Sequence, residues 1–255
     1  MYKKDKNFKP IAGTRTLWRY LDLAKYVSLI SQKHLFFSSA SRFEDPFEGV
    51  LNNASKDALR KWYAEGKTTK SGGRKKQQQA EKELNAYFRY MDSIKPFTVI
   101  NSWHINENES FAMWKIYSER NIGVAITTTF KSLTHAFDVA KEDIYIGKVN
   151  YIDEERDLVD PANSYHHFMV KRSQFAYERE LRCIHQVPQE REHEIEQIYD
   201  LYGLRVSIDI NTLLQSIYVS PYAEKWVKDV VADLNSKYGI AAEIRQSTLL
   251  SSENY

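Results

Sequence analysis

The sequence predicts an α+β fold, a single domain over residues 1–255 in which helices flank a mostly antiparallel or mixed sheet. Segments rich in β-forming residues alternate irregularly with helical patterns. Several connections between successive strands are too short for the crossover helix that a parallel sheet requires. Hydrophobic residues make up 42% of the chain and aromatic residues 13%, which is enough for a core over most of its length. A doubly wound parallel sheet is therefore not expected.

The N-terminal residues predict a strand, a helix and a second strand. The first strand covers residues 14–22, TRTLWRYLD, which are rich in β-forming side chains. Apolar residues then recur at helical spacing behind Asp22, which suits an N-cap. Residues 34–43, HLFFSSASRF, return to a strand that runs into a turn.

Residues 43–49, FEDPFEG, predict the start of a helix that continues to about residue 63. Asp45 suits the N-cap and Pro46 the first helical position, while Glu48 takes the third position of a capping box. Residues 65–83 follow, in which the five lysines and arginines of 67–76 lie among Gly, Ser and Gln without an apolar anchor. We expect a mobile basic loop there, and then a helix over about 77–92.

The remainder of the chain predicts strands alternating with short helices. The expected strands are 97–105, 121–130, 144–152, 181–187, 202–210, 216–220 and 240–249. The expected helices are 110–119, 164–178 and a last helix from Pro221, with Ser220 as its cap and Gly239 as its stop.

Composition and missing motifs exclude several classes of protein. The single cysteine, Cys183, cannot form an internal disulfide, and neither a signal peptide nor a membrane span is predicted, so we expect a cytoplasmic protein. The formal net charge of +2 does not favour general nucleic-acid affinity, although the basic loop leaves a local contact open. A Walker loop, GxGxxG and GxSxG are missing. HExxH and a cysteine pair are missing too, so there is no zinc signature and no metal is predicted.

Residues 177–182, YERELR, form the most informative polar motif. If a strand begins at Glu180, then Glu180 and Arg182 share one face of it by the two-residue period. The arginine would keep the glutamate ionised, so that it could act as a base or stabilise a developing cation. An ion-pair network that fixes a helix–strand junction explains the same pattern.

Two further strands carry polar residues of interest. Arg19 lies within an apolar strand, where its charge requires either an anionic ligand such as a phosphate or an acidic partner, Glu180 or Asp45. Ser102 lies in the strand predicted at 97–105.

Other polar groups have simpler explanations. Glu44, Asp45 and Glu48 could form an acidic metal site, but cap geometry already uses two of them. His166 and His167 would point about 100° apart on a helix, which does not suit a shared metal.

The chain resembles a bacterial domain-of-unknown-function family along most of its length. The segments that carry the resemblance are LWRYLD, LISQKHLFFSSASRFEDPFEG, INSWHINENESFAMWKIYSERNIGVAI, YERELR and VSPYAEKW. Their shared pattern is L-[YW]-[KR]-Y, F-x-D-P-F-E, M-W-x-x-Y and Y-E-x-E-x-R. Glu44, where an Asn is common, and the basic insert at 65–83 depart from it. Membership of this family implies no established activity.

A second resemblance is to ADP-ribosyltransferases of the Arg–Ser–Glu class, and it implies an ADP-ribosyltransferase-like fold with NAD as substrate. In that class Arg19 would hold an NAD phosphate, and Glu180 would grip the nicotinamide ribose and stabilise its oxocarbenium-like centre. Glu178 would help to choose the acceptor. Trp114 or Tyr117 would stack on the nicotinamide.

The same resemblance assigns the remaining residues of the expected cleft. Tyr20 and Arg182 would join Arg19 in binding the nucleotide, and Ser102 would brace the site. Ser38 and Ser39 compete with Ser102 for that role, because the Ser-Thr-Ser element of the class is missing.

The function expected from these observations is an NAD-consuming transferase or NAD glycohydrolase, in a toxin or phage-defence setting that only the resemblance implies. Its partners would be a nucleotide-like small molecule and a protein acceptor. Two other functions stay open. One is a non-enzymatic module that binds a nucleotide or a protein, and the other is a Mg²⁺-dependent nuclease that uses Glu44, Asp45 and Glu48.

Overall fold

The chain folds into helices around a mixed β-sheet, which confirms the predicted α+β class. The structure is a computed structural model that describes residues 1–6, 8–9, 11–66, 73–117, 122–161, 163–198 and 201–250. In these described ranges, eleven strands form the main sheet and two short strands pair separately. Within the described ranges, no helix is long and apolar enough to cross a membrane.

The strands and helices follow the predicted order closely over much of the chain. The strands are β1 (Tyr2–Lys3), β2 (Thr16–Asp22), β3 (His34–Ser39), β4 (Thr98–Ile105), β5 (Gly123–Thr129), β6 (Ile144–Lys148), β7 (Asn150–Ile152), β8 (Val170–Arg172), β9 (Glu180–Gln186), β10 (Glu196–Ile198), β11 (Leu201–Ser207), β12 (Ser216–Val219) and β13 (Glu243–Gln246). The α-helices are α1 (Leu23–Gln32), α2 (Asn53–Gly66), α3 (Gly73–Ile94), α4 (Phe111–Tyr117), α5 (Phe130–Ala136), α6 (Ile210–Leu213) and α7 (Lys225–Tyr238).

The main sheet branches at β4. One edge of β4 pairs with β9 along its whole length, and β6 and β1 continue the sheet on that side. The other edge pairs first with β3, through Ile100, and then with β2, from His104 onward. The strands β11 and β10 extend the β3 branch, whereas β5, β12 and β13 extend the β2 branch. Among the described strands of this sheet, only β1/β6 and β12/β13 pair in parallel.

The two faces of the sheet bury separate apolar clusters. On one face the helices α1, α5 and α7 cover a large core that includes Tyr26, Leu133 and Val231. On the other face α3 and residues 165–169 cover a smaller cluster around Ile100 and Ile184. Alternate residues of β4 and β9 therefore enter different environments, as the two-residue period of a strand requires.

The helix expected to begin at residues 43–49 begins instead at Asn53. Asp45 does not cap a helix, because its side chain and carbonyl accept hydrogen bonds from the backbone of Phe47 and Glu48 within a turn. Gly49 follows with a positive φ of 72°, which ends the turn in a conformation that favours glycine. The cap of the helix is Asn52, whose side-chain oxygen accepts from the backbone of Ser55.

The prediction of a helix at 164–178 is also wrong. Residues 166–168 and 173–178 form 3₁₀ turns on either side of β8, which pairs in parallel with β7. Pairing with another strand overrides the helical pattern, and Arg179, in the left-handed region with φ 43°, then redirects the chain into β9.

Three smaller differences concern the ends of elements. The strand predicted at 144–152 is interrupted at Val149, so that β6 and β7 belong to different sheets. The last helix begins at Lys225 rather than Pro221, because the Ser220 hydroxyl accepts from the backbone of Tyr222 in a preceding turn. In the segment expected as a basic loop, residues 73–83 are helical, and residues 67–72 lie outside the described residues.

The turn before α2 provides a test of this packing. Gly49→Ala should lower the free energy of unfolding by about 2–4 kcal/mol, because the added Cβ would overlap the ring of Phe168 in addition to straining the backbone. Gly239→Ala is the matched control, since Gly239 also has a positive φ, of 67°, but no heavy atom within 4 Å of an added Cβ. It should cost about 1–2 kcal/mol from the backbone alone. Equal losses in urea denaturation would contradict the packing of Phe168 on this turn.

Candidate functional site

A cleft opens where β2 and β3 separate along the edge of β4. It encloses about 240 Å³. Of the residues expected in the site, the structure brings six to its walls: Arg19, Tyr20, Ser102, Tyr117, Glu178 and Glu180. Further walls come from Trp18, Lys25, Ser38, Phe43, Ile100, Trp103, His104 and Met113. The sheet branch therefore positions the candidate site.

Arg19 bridges the gap in the sheet. Its Nη1 donates to the carbonyl of Ser102, which lies between the two segments of β4 that pair with β3 and β2. The guanidinium also lies 6.0 Å from the centre of the Trp103 ring. Within the described part of the chain, no carboxylate oxygen lies within 4.0 Å of it. Neither of the acidic partners considered from the sequence, Glu180 or Asp45, therefore pairs with Arg19.

Burial lowers the pKa of Arg19 to about 10, a value at which the guanidinium is still charged at neutral pH. A partly buried cation without a paired carboxylate is an unfavourable arrangement unless an anion completes it. Arg19 therefore supplies a positive charge to the cleft that an anionic ligand could neutralise.

At the other end of the cleft lies a buried cluster of charged side chains. Lys171 Nζ is 2.7 Å from Glu178 Oε2, 3.4 Å from Glu48 Oε1 and 3.9 Å from Glu180 Oε1. Arg182 donates from Nε to Glu180 Oε2 at 2.8 Å, from Nη1 to the carbonyl of Phe168 at 2.7 Å, and from Nη2 to Glu48. We call Glu48, Lys171, Glu178, Glu180 and Arg182 the charge cluster.

The charge cluster contains three carboxylates and two cations. Burial raises the pKa of Glu178 and the nearby Glu180 raises it further, while the hydrogen bond from Lys171 opposes them. Burial alone would lower the pKa of Lys171, but the neighbouring carboxylates raise it above its ordinary value. By formal charge the charge cluster therefore has one more carboxylate than cations beside the cleft.

Two tyrosines line the cleft between its charged ends. Burial, followed by the charges of Glu178 and Glu180, raises the pKa of Tyr117, and Arg19 opposes that shift, so its hydroxyl lies within electrostatic reach of both ends. The Tyr117 ring is 42% exposed. Tyr20 is buried, and its hydroxyl accepts from the backbone of Ser110.

Two residues expected to contact a nucleotide lie away from the cleft. Trp114 is fully buried behind Tyr20, with ring centres 4.9 Å apart, and its Nε1 donates to Glu109. Between the two aromatic rings proposed for stacking, Tyr117 is the one that lines the cleft. Arg182 is 1% exposed and lies beneath Glu180, so it positions that carboxylate instead of meeting a ligand.

The three serines considered for the site occupy different environments. Ser39 is buried and caps the 3₁₀ turn at residues 40–42, and its hydroxyl donates to the carbonyl of Pro96. Ser38 and Ser102 both line the cleft. Ser102 lies directly opposite Arg182 in the β4–β9 register.

Several residues of the site were not found from the sequence, or were given another role. Glu48 was assigned to a helix cap, yet it bonds to Arg182. Lys171 lies in a segment predicted as helix, where nothing distinguishes it from a surface lysine. His104 could have been found, because the two-residue period places it on the same face as Ser102 and opposite Glu180.

The acidic motif at residues 44–48 is occupied by ion pairs. Asp45 accepts two hydrogen bonds from Arg172, both at 3.1 Å, and Glu48 belongs to the charge cluster. No group of three or more His, Cys, Asp or Glu residues in the described ranges is arranged to hold a metal ion.

The histidine and the cysteine considered as metal ligand and nucleophile are both buried. His167 is fully buried beside the Tyr87 hydroxyl, and burial lowers its pKa to about 4. Burial raises the pKa of the Cys183 thiol, which keeps it protonated.

The raised pKa of Glu178 predicts a pH dependence of stability. A carboxyl group with a higher pKa in the folded than in the unfolded chain contributes stability at low pH and loses it as the pH rises through the folded pKa. Relative to Glu178→Gln, the wild type should therefore lose free energy of unfolding from about pH 4.5, the ordinary value, upward. Urea denaturation of both proteins across that range measures the difference. A wild type that gains stability relative to the variant would mean that Lys171 outweighs burial.

Comparisons with known proteins give a distant structural similarity. No protein-family model and no curated protein matches the chain, so membership of the bacterial family stays a prediction. The chain is similar to a solved structure described as DarT of Thermus sp. 2.9 in complex with NAD⁺. The two are 7% identical with a TM-score of 0.40, over 94% of this chain and 98% of that one. The functional assignment below therefore rests on the side chains of the cleft.

Proposed function

We propose that the cleft binds NAD and that the chain cleaves the bond between nicotinamide and ribose, as an ADP-ribosyltransferase-like enzyme or an NAD glycohydrolase. The observation that supports this proposal is the separation of charge across the cleft. Arg19, without a carboxylate partner among the described residues, lies at one end, and the charge cluster with its excess negative charge lies at the other. NAD has anionic phosphates and a cationic nicotinamide ring separated by a ribose, which matches this pattern.

The positive end suits a diphosphate. The Arg19 guanidinium has donors to spare after its bond to Ser102, and an arginine can bind a phosphate through two parallel hydrogen bonds. Lys25, on the first turn of α1, also lines the cleft. Its side chain is 62% exposed and forms a surface ion pair with Asp22, which leaves its ammonium able to meet a ligand at the mouth.

The negative end suits the reaction. When the bond between ribose C1′ and the nicotinamide nitrogen breaks, the electron pair stays on the nitrogen and the positive charge moves to the ribose. The transition state therefore resembles an oxocarbenium ion. The fixed negative charge beside it, with Glu180 held by Arg182, stabilises this cation without reorganisation.

The second half of the reaction requires a nucleophile. Water, in a glycohydrolase, or a side chain of a protein acceptor, in a transferase, forms a bond to C1′ and releases a proton. Glu178 lines the cleft, and its raised pKa brings it nearer to the pH at which a general base works well. In this proposal Tyr117 stacks on the nicotinamide ring and Ser102 braces the site.

A second function uses the same cleft without turnover. Both oxygens of Glu180 face cations, with Oε2 bonded to Arg182 and Oε1 3.9 Å from Lys171. A carboxylate held in this way also suits a module that binds a nucleotide and then presents a surface to a protein. Tight NAD binding without release of nicotinamide, with candidate acceptors present, would favour this function.

The cellular setting is part of the proposal. A free Cys183 is consistent with a cytoplasmic protein, and the resemblance to ADP-ribosyltransferases suggests a toxin or phage-defence role.

The first experiment compares two variants of the charge cluster. Glu180→Gln should lower the rate of nicotinamide release from NAD by about 100-fold or more, because the charge beside the developing cation is lost. Glu48→Gln removes the same charge from the same cluster but lies outside the cleft lining, and it should keep most of the activity. Each variant leaves Arg182 one carboxylate partner, so both should fold, and their melting temperatures are measured beside the rates to separate lost activity from lost stability. Equal losses of activity in the two folded variants would contradict a direct role for Glu180.

The second experiment tests the phosphate end. Arg19→Met should weaken NAD binding by about 10- to 100-fold through loss of a charge-assisted hydrogen bond, and Arg19→Lys should recover part of it. Quenching of tryptophan fluorescence is a suitable measurement, because Trp18 and Trp103 line the cleft. Arg15→Met is the control, since Arg15 pairs with Glu107 outside the cleft. Unchanged affinity for NAD in Arg19→Met would show that the diphosphate does not bind at this end of the cleft.

A further inference from the structure

His104 is a buried cleft residue with one ring nitrogen satisfied and the other free. It is 4% exposed and lines the cleft. Its Nδ1 lies 2.6 Å from the carbonyl oxygen of Glu178. Within the described ranges, its Nε2 has no hydrogen-bond partner. A buried acceptor without a partner is costly, and in a residue that lines the cleft a ligand or a bound water could complete it.

The contact with the Glu178 carbonyl determines the tautomer of the His104 ring. A carbonyl oxygen only accepts hydrogen bonds, so Nδ1 must carry a proton and donate it. Burial lowers the pKa of His104, the bond to the Glu178 carbonyl opposes this shift, and Arg179 adds to it, so the pKa stays below its ordinary value and the ring is neutral at neutral pH. Nε2 is therefore a lone-pair acceptor that is held in place by the bond on the opposite side of the ring.

The position of His104 indicates which part of the ligand it meets. It is the direct cross-strand partner of Glu180, and such pairs have Cβ atoms about 4.5–5.5 Å apart on one face of the sheet. Its ring also approaches that of Tyr20, at 6.3 Å between centres. His104 thus lies at the negative end of the cleft, where the proposed function places the nicotinamide and its ribose.

We propose that Nε2 of His104 accepts a hydrogen bond from the carboxamide N–H of the nicotinamide, and so selects dinucleotides that carry this donor. This inference rests on the proposed function. The ribose hydroxyls have the carboxylates of Glu180 and Glu178 as acceptors, and the carboxamide donor requires an acceptor of its own. The neutral His104 ring, whose unprotonated Nε2 is held in place by the bond at Nδ1, meets that requirement.

The test compares NAD with its 3-acetylpyridine analogue, in which a methyl group replaces the carboxamide nitrogen and the rest of the dinucleotide is the same. Dissociation constants from tryptophan quenching should favour NAD by about tenfold in the wild type. In His104→Phe the preference should fall to about twofold or less. His104→Leu serves the same purpose if the phenylalanine variant does not fold. The ratio of the two constants isolates one hydrogen bond, as in a double-mutant cycle.

The chain offers a close structural control in His185. It is 8% exposed, its Nδ1 is 3.0 Å from the carbonyl oxygen of Asp143, and its Nε2 is also without a partner among the described residues. It does not line the cleft. His185→Phe should change stability to a similar degree but keep the wild-type preference for NAD.

The outcomes separate the inference from the proposed function. A wild type that binds neither dinucleotide would overturn both. A wild type that binds both equally well, or a preference that survives in His104→Phe, would overturn the role of His104 alone. A third arm uses a dinucleotide that lacks the 2-hydroxyl of the nicotinamide ribose. If His104→Phe loses its discrimination against that ligand instead, the hydrogen bond belongs to the ribose and the carboxamide assignment is wrong.

Discussion

The buried guanidinium of Arg182 constrains the structure around the cleft. A charge with 1% exposure requires nearby partners, since an uncompensated buried ion costs several kcal/mol. Its partners come from three segments: Glu180 from its own strand, the carbonyl of Phe168 from a 3₁₀ turn, and Glu48 from the turn before α2. The turn and the 3₁₀ segment must therefore close over β9. As a consequence, Glu180 has one orientation at the edge of the cleft.

The branch of the sheet imposes a second constraint. Where β4 changes partner from β3 to β2, backbone groups lose their ladder hydrogen bonds, and buried carbonyls require substitutes. Arg19 donates to the carbonyl of Ser102, and the Asn101 side chain donates to the carbonyl of Phe36. The cleft thus lies where the hydrogen-bond ladder of the sheet is interrupted, and side chains supply the missing hydrogen bonds there. Because Arg19 supplies one of them, the fold itself places a positive charge in the wall.

The sequence predicts the parts of this site that depend on local periodicity. The strand patterns of β2, β4 and β9 were predicted within about two residues, and their two-residue period places Glu180 and Arg182 on one face. Interactions between distant segments could not be predicted in this way. Glu48 satisfies a capping-box pattern locally, and only its distance to Arg182 in space shows its partner. Residues 164–178 carry a helical pattern, but pairing of β8 with β7 determines their structure.

The same limit applies to the aromatic residues. Trp114 and Tyr117 lie three residues apart in α4, so helical periodicity places them on neighbouring positions of one face. Only the packing of Tyr20 against Trp114 distinguishes the buried ring from the one that reaches the cleft. Burial of a side chain depends on elements that are remote in sequence, which a local pattern does not describe.

Among the described residues, Arg19 and the charge cluster carry opposite charges beside the cleft but do not pair with each other. Arg19 could have paired with a glutamate, and the charge cluster, with three carboxylates for two cations, could have used a third cation. Stability alone favours both changes, because separated charges in a partly buried cleft have a higher energy than an ion pair. A ligand that is anionic at one end and cationic at the other would restore both interactions at once. The unpaired charges therefore support the proposed binding of such a ligand, beside the structural ion pairs at the junction of YERELR.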